Sequence, residues 1–174
     1  HFRENSNSHD EVQYLQLLRN IMENGVWEEG RNGRTKSIFG SMMRYSLKDG
    51  KIPILTTKKT AWKTCLKELL WFIRGKTNNK LLTEQGVHIW DGNSSREFLD
   101  SRGLQDYEVD ELGPVYGHQW RNWNSEEIDQ ISELIKELKT NPNSRRMLVS
   151  AWNPSVLPDT TKSFDENVAN NKAA

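Results

Sequence analysis

The sequence predicts an α/β-type domain, and three observations carry that reading. Residues 60–74 repeat apolar side chains at helical spacing. The stretches 37–47 and 147–152 are short and rich in Ile, Phe, Met, Val and Tyr, as strands are. The chain has 174 residues, enough for one domain with a real core. Apolar residues are 34% of the total and most lie between Ile52 and Trp152, so the core belongs to the middle of the chain. All seven tryptophans fall between Trp27 and Trp152, more apolar surface than a small sheet-and-helix unit hides, so a partner chain or a further segment is expected to cover the remainder.

Charge and cysteine usage narrow the class. Lys+Arg and Asp+Glu are 24 each, a balance that argues against a general nucleic-acid or membrane-surface binder. No apolar run approaches the ~20 residues of a membrane span. A single cysteine, Cys65, suits a reducing cytosol. The four histidines are scattered and no metal-ligand spacing occurs. The chain starts at His1 rather than Met and is read as a fragment at its start.

In order, Ser8 and Glu11 form a capping-box pattern before a helix whose apolar face is Tyr14, Leu17, Leu18, Ile21 and Met22, with Gly25 as its stop. Residues 26–36 read as a charged, glycine-containing loop in which Arg31 and Arg34 offer guanidinium groups to a phosphate or carboxylate, or simply to water. A strand is expected over Ser37–Leu47, a turn over Lys48–Lys51, and a short edge piece over Ile52–Leu55, which Pro53 keeps out of a sheet centre.

The helix over 60–74 organises the rest. Trp62, Cys65, Leu66, Leu69, Leu70 and Ile73 share one arc of roughly 140°, Ala61 and Phe72 flank it, and Trp71 lies opposite. An arc of that width is expected to be buried, with Cys65 an inert thiol within it. Glu68 stands at its boundary, either reaching solvent or held in a pocket to handle water and protons. Gly75 ends the helix.

A short helix with Leu81 and Leu82 inward is expected over Thr77–Gly86, then a helix-prone segment Ser94–Asp100 and a loop to Asp110. The stretch 112–123, with two glycines and a proline among aromatics, reads as a tight corner rather than a regular element. Asn124 and Glu127 resemble a cap for an amphipathic helix through Ile128, Ile131, Leu134, Ile135 and Leu138, which stops before Asn141-Pro142. Arg145 and Arg146 open the strand Met147–Trp152, pointing to opposite faces, toward an anion or toward solvent. The expected domain runs over 10–154, between a polar tail at 1–9 and a disordered, non-family tail at 155–174.

Several of these stretches resemble thymidylate synthase, in the family's order. They are Arg31-Asn32-Gly33 before Ser37-Ile38-Phe39-Gly40, Leu55-Thr56-Thr57-Lys58-Lys59, Glu68-Leu69-Leu70-Trp71-Phe72-Ile73-Arg74-Gly75, Ile89-Trp90-Asp91, 112–121, 141–146 and Ser150-Ala151-Trp152-Asn153. The segment 93–110 resembles the eukaryotic and large-DNA-virus type, and residues 9–15 resemble the junction that follows a dihydrofolate reductase domain.

The resemblance implies a mixed sheet backed by helices, a cytoplasmic homodimer, and conversion of dUMP to dTMP with 5,10-methylenetetrahydrofolate as co-substrate. It implies no metal, and no nucleic acid as primary ligand. In that scheme Arg31 binds the dUMP phosphate, with Arg34 as the competing candidate. Arg145 and Arg146 reach the phosphate of the neighbouring subunit. Glu68 organises water and shuttles protons, Trp90 and Asn93 lie along the folate, and Tyr116 lines the pyrimidine pocket.

The family's nucleophile sits in a Pro-Cys-His segment past the Ala-Trp-Asn strand, and no cysteine or histidine follows Asn153 here. Roughly the C-terminal half of the domain is therefore expected to be missing, and the chain alone is expected to be inactive. An incomplete record of an active synthase, a non-catalytic partner of an intact subunit, and a pyrimidine hydroxymethylase are the three readings that follow.

Overall fold

A computed structural model describes residues 9–30, 33–157 and 159–169. The chain divides into two units, His1–Ala61 and Trp62–Ala174.

In the first unit, α1 spans Val12–Asn24 and ends at Gly25, whose extended backbone donates its N–H to the Ile21 carbonyl. Ser8 lies outside the described residues, and Glu11 does not cap the helix. Its buried carboxylate instead accepts from the backbone N–H and hydroxyl groups of both Thr56 and Thr57, at 2.5–2.9 Å. The stretch expected as a charged loop is a β-hairpin. β1 (Val26–Gly30) pairs antiparallel with β2 (Gly33–Ser37), Val26 opposite Ser37 and Gly30 opposite Gly33. The charges that suggested a loop are cross-strand partners: Arg34 faces Glu29 at 3.5 Å, and the Arg34 guanidinium and Lys36 ammonium lie over the Trp27 ring.

Residues 38–47 and 52–55, expected as strands, are irregular. A β-prone segment becomes a strand only where a neighbour meets its backbone groups. Among the described residues the sheet has two strands and offers these segments none.

The second unit holds six α-helices among its described residues: α2 (Trp62–Ile73), α3 (Lys80–Thr83), α4 (Arg96–Ser101), α5 (Tyr116–Arg121), α6 (Gln130–Thr140) and α7 (Phe164–Ala169). Gly75 stops α2 in a left-handed conformation, φ +65°, with its N–H on the Phe72 carbonyl. The core is Trp71, Phe72, Leu82 and Val87, packed by Trp90, Leu112, Val115 and Trp120.

This core reverses the expectation for α2. Trp71, placed opposite the apolar arc, is buried, whereas Trp62, Leu66, Leu69, Leu70, Ile73 and Cys65 are all exposed. A helix apolar on most of its circumference has two faces to cover. The described residues of this unit cover only the Trp71–Phe72 face. Of the α3 pair, Leu82 is fully buried and Leu81 is exposed.

The corner expected over 112–123 contains helix α5. Its caps were obscured by Gly113 (φ +70°) and by Val115, an extended residue that begins the helix without a side-chain bond. Helix α6 is capped not by Asn124 but by Asp129, which accepts from the Ser132 N–H at 2.9 Å. Residues 147–152 are not a strand. The Gln130 amide takes the place of a neighbouring strand there, accepting from the Ser150 N–H and donating to its carbonyl. Arg145 and Arg146 lie in the turn before this segment, so strand alternation does not apply to them. The tail expected to be disordered holds helix α7, begun by a capping box in which Ser163 and Glu166 exchange side-chain-to-backbone bonds.

Candidate functional site

The second unit brings three of the sequence-selected residues together. Glu68 sits on α2, part-buried. The Trp90 indole Nε1–H donates to its Oε1 at 2.8 Å. Tyr116, the first residue of α5, places its ring 6.3 Å from that of Trp90, centroid to centroid. Phe72 lies beneath both, with ring distances of 6.4 Å to Trp90, 5.4 Å to Tyr116 and 5.9 Å to Trp120, all edge-on. The result is a carboxylate fixed by one donor against an aromatic wall, with the Tyr116 ring half exposed. A carboxylate aimed in this way can hold a water and exchange a proton with a ligand seated on the wall.

Small residues allow the closeness. A Cβ on Gly117 would stand 2.8 Å from the Phe72 carbonyl oxygen, so α5 meets α2 backbone to backbone. A Cβ on Gly113 would meet the Tyr107 ring at 2.6 Å.

The turn that carries Trp90 has its own support, which the sequence reading missed. Asn79 is fully buried, and its amide Nδ2 donates to Asp91 Oδ1 at 2.9 Å and to Ser94 Oγ at 3.2 Å. Asp91 also holds His88 Nδ1 at 2.9 Å. The Asn79 amide, followed by the imidazole of His88, keeps the Asp91 carboxyl below its ordinary range. A second buried amide, Gln119, donates to the Pro114 carbonyl and accepts from the Asn124 N–H and from Asn153. Single Asn and Gln side chains carry no spacing signal for such networks.

Asn93 is exposed in the 3₁₀ turn Asp91–Asn93 that follows Trp90. Arg145 and Arg146 are exposed and line an open depression of about 580 Å³ with Glu137, Asn141, Asn143 and Ser144. No hydrogen bond or ring contact among the described residues links them to Glu68, Trp90 or Tyr116. Arg31 lies outside the described residues. Arg34, its competitor, is engaged with Glu29 and Trp27 on the hairpin. Cys65, exposed on α2, makes no hydrogen bond to a base among the described residues. Those residues contain no group of three or more metal-ligating side chains, and no described helix is long and apolar enough to cross a membrane.

Comparison with known proteins bears directly on this geometry. The family model described as thymidylate synthase matches residues 12–163. A bifunctional dihydrofolate reductase-thymidylate synthase of Leishmania major is 50% identical over 162 residues, covering 86% of this chain and 31% of the relative. A probable thymidylate synthase of Schizosaccharomyces pombe is 47% identical over 163 residues, covering 86% of this chain and 26% of the relative. Human thymidylate synthase is 48% identical over 162 residues, covering 86% of this chain and 51% of the human protein. The chain thus spans about half the human enzyme's length and a third or less of the longer relatives.

Proposed function

Because the chain belongs to the thymidylate synthase family, a family of methyltransferases, we propose that it carries the water-organising and phosphate-gripping part of a site for making dTMP from dUMP. The observation that carries the proposal is the Trp90–Glu68 hydrogen bond set against Phe72 and Tyr116. In this reading Glu68 holds the water that moves protons around the pyrimidine, and Trp90 decides which carboxylate oxygen faces it. Trp90 and Asn93 lie along 5,10-methylenetetrahydrofolate, the carbon donor and reductant. Tyr116 lines the pyrimidine. Arg31, Arg145 and Arg146 grip the phosphate, the last two from the neighbouring subunit of a cytoplasmic homodimer. Several guanidiniums on one dianion suit that task.

In this reading the reaction opens with a cysteine thiolate attacking C6 of the pyrimidine, and such a thiolate is activated by a base or cation beside it. Cys65 is the chain's only cysteine, and its thiol makes no hydrogen bond to a base among the described residues. The 174-residue chain by itself is therefore inactive in this reading.

Calorimetric titration of the full chain tests the proposal. dUMP binds more tightly than deoxyuridine, and the difference narrows when Arg145→Ala and Arg146→Ala are combined, Arg31 remaining. Each lost charge-assisted contact weakens binding by about 1.5–3 kcal/mol. Equal affinity for nucleotide and nucleoside in the parent chain rejects the phosphate role. Dihydrofolate formation from dUMP by the purified chain rejects the inactivity.

A further inference from the structure

We infer that Asn79 is a positioning residue: it holds the turn that delivers the Trp90 indole to Glu68. The inference rests on the reading of Glu68 and Trp90 as the proton-handling pair, and extends it to a residue outside that pair.

The links are continuous. The Asn79 amide donates to Asp91, the residue directly after Trp90, and to Ser94. Ser94 Oγ returns a bond to the Trp90 carbonyl at 3.2 Å, and the Ser94 and Asn93 N–H groups also reach that carbonyl. On its other side the Asn79 N–H donates to the Asp110 carbonyl at 2.7 Å, and the Asp110 N–H donates to the Ser94 carbonyl at 3.0 Å. Asn79 and Ser94 are both fully buried, so neither amide nor hydroxyl exchanges these partners for water.

Burial also argues against a merely space-filling part. The Asn79 Oδ1 atom is buried with no hydrogen-bond partner among the described residues. An apolar side chain would fill the position without stranding an oxygen. What the amide supplies, and an apolar group cannot, is a two-pronged donor to the two residues that bracket the 3₁₀ turn behind Trp90. The turn so held carries the Trp90 indole, whose Nε1–H reaches Glu68 Oε1 at 2.8 Å.

The test uses the full chain and its seven tryptophan indole N–H signals in a ¹H–¹⁵N spectrum, with the Trp90 signal assigned by Trp90→Phe. In the parent, Glu68→Gln displaces the Trp90 signal, because a charged acceptor becomes a neutral one. In an Asn79→Ala background that displacement is lost while the other indole signals keep their positions. Asp91→Ala, which leaves Asn79 in place but removes its acceptor, gives the same loss and serves if Asn79→Ala does not fold. If Glu68→Gln moves the Trp90 signal equally with and without the Asn79 amide, the positioning role is wrong and the functional reading stands. If it moves nothing in the parent, the Trp90–Glu68 pair itself fails, and both readings go with it.

Discussion

Gly117→Ala should destabilise this protein, against the usual effect of that substitution. Inside a helix, replacing glycine by alanine ordinarily stabilises by about 0.5–1 kcal/mol, because glycine loses more backbone freedom on folding. At position 117 the new Cβ meets the Phe72 carbonyl oxygen at 2.8 Å, the Phe72 Cα at 2.9 Å and the Lys76 carbonyl oxygen at 3.2 Å. All three are backbone atoms and cannot swing aside. Helix α5 must withdraw from α2 by roughly 0.5–1 Å, a gap that forfeits a quarter to a half of each dispersion contact. The contacts at stake are those of Phe72 with Tyr116 and Trp120. Overpacking of this kind costs about 1–3 kcal/mol, which exceeds the propensity gain. The net is a loss of about 1–2 kcal/mol, seen as a melting point lower by about 2–8 °C in a chain of this length. Thermal denaturation followed by circular dichroism reads it. Gly92→Ala is the control: nothing lies within 4 Å of that Cβ, so its effect stays within about 0.5 kcal/mol. A Gly117→Ala chain that melts at or above the parent refutes the backbone-contact argument.

Other outcomes follow from the same structure. The hydroxyls of Thr56 and Thr57, then the Thr57 N–H, hold the Glu11 carboxyl at about 2 against an ordinary 4.5. A depressed carboxyl stabilises fully above its unfolded value, so this contribution is lost as pH falls from 4.5 toward 2. Urea titrations across that window should show Glu11→Gln weaker than the parent at neutral pH and converging with it in acid. A gap that persists unchanged at the acid end contradicts the assignment. Leu82→Ala, at a fully buried site, should cost about 2–5 kcal/mol, whereas Leu69→Gln on the exposed arc of α2 should change stability by no more than about 0.5 kcal/mol. Comparable losses at the two sites would mean that the arc is covered. Asp129→Ala removes both the cap of α6 and the 2.9 Å pair with Arg121, and should cost about 0.5–2 kcal/mol in the same urea assay. No loss would show that the cap contributes nothing.

What the sequence revealed and what it concealed divide along a physical line. Helices are closed by local bonds, so α1, α2 and α6 and the Gly75 stop could be read from spacing alone. Strands borrow their bonds from elsewhere. The β-prone stretches 38–47 and 147–152 therefore misled, and the charged hairpin 26–37 was hidden because its pairing is visible only across the turn. Glu68 stood out because a carboxylate on an apolar helix is conspicuous. Its partner Trp90 came from the family resemblance, and the residues that steady Trp90 came from neither. A helix that is apolar almost all round does not reveal which side its own chain will cover. That ambiguity put Trp71 on the wrong side.

The aromatic cluster around Glu68 draws every member from residues 68–120. A ribosome adding roughly 5–20 residues per second delivers that window within about ten seconds. Every ring of the cluster is therefore synthesised while downstream sequence is still in the exit tunnel. The bare side of α2 has no such early neighbour among the described residues of its unit. A nascent chain of this kind presents a finished ring cluster and an unfinished greasy surface at the same moment, and the second is what a chaperone would hold.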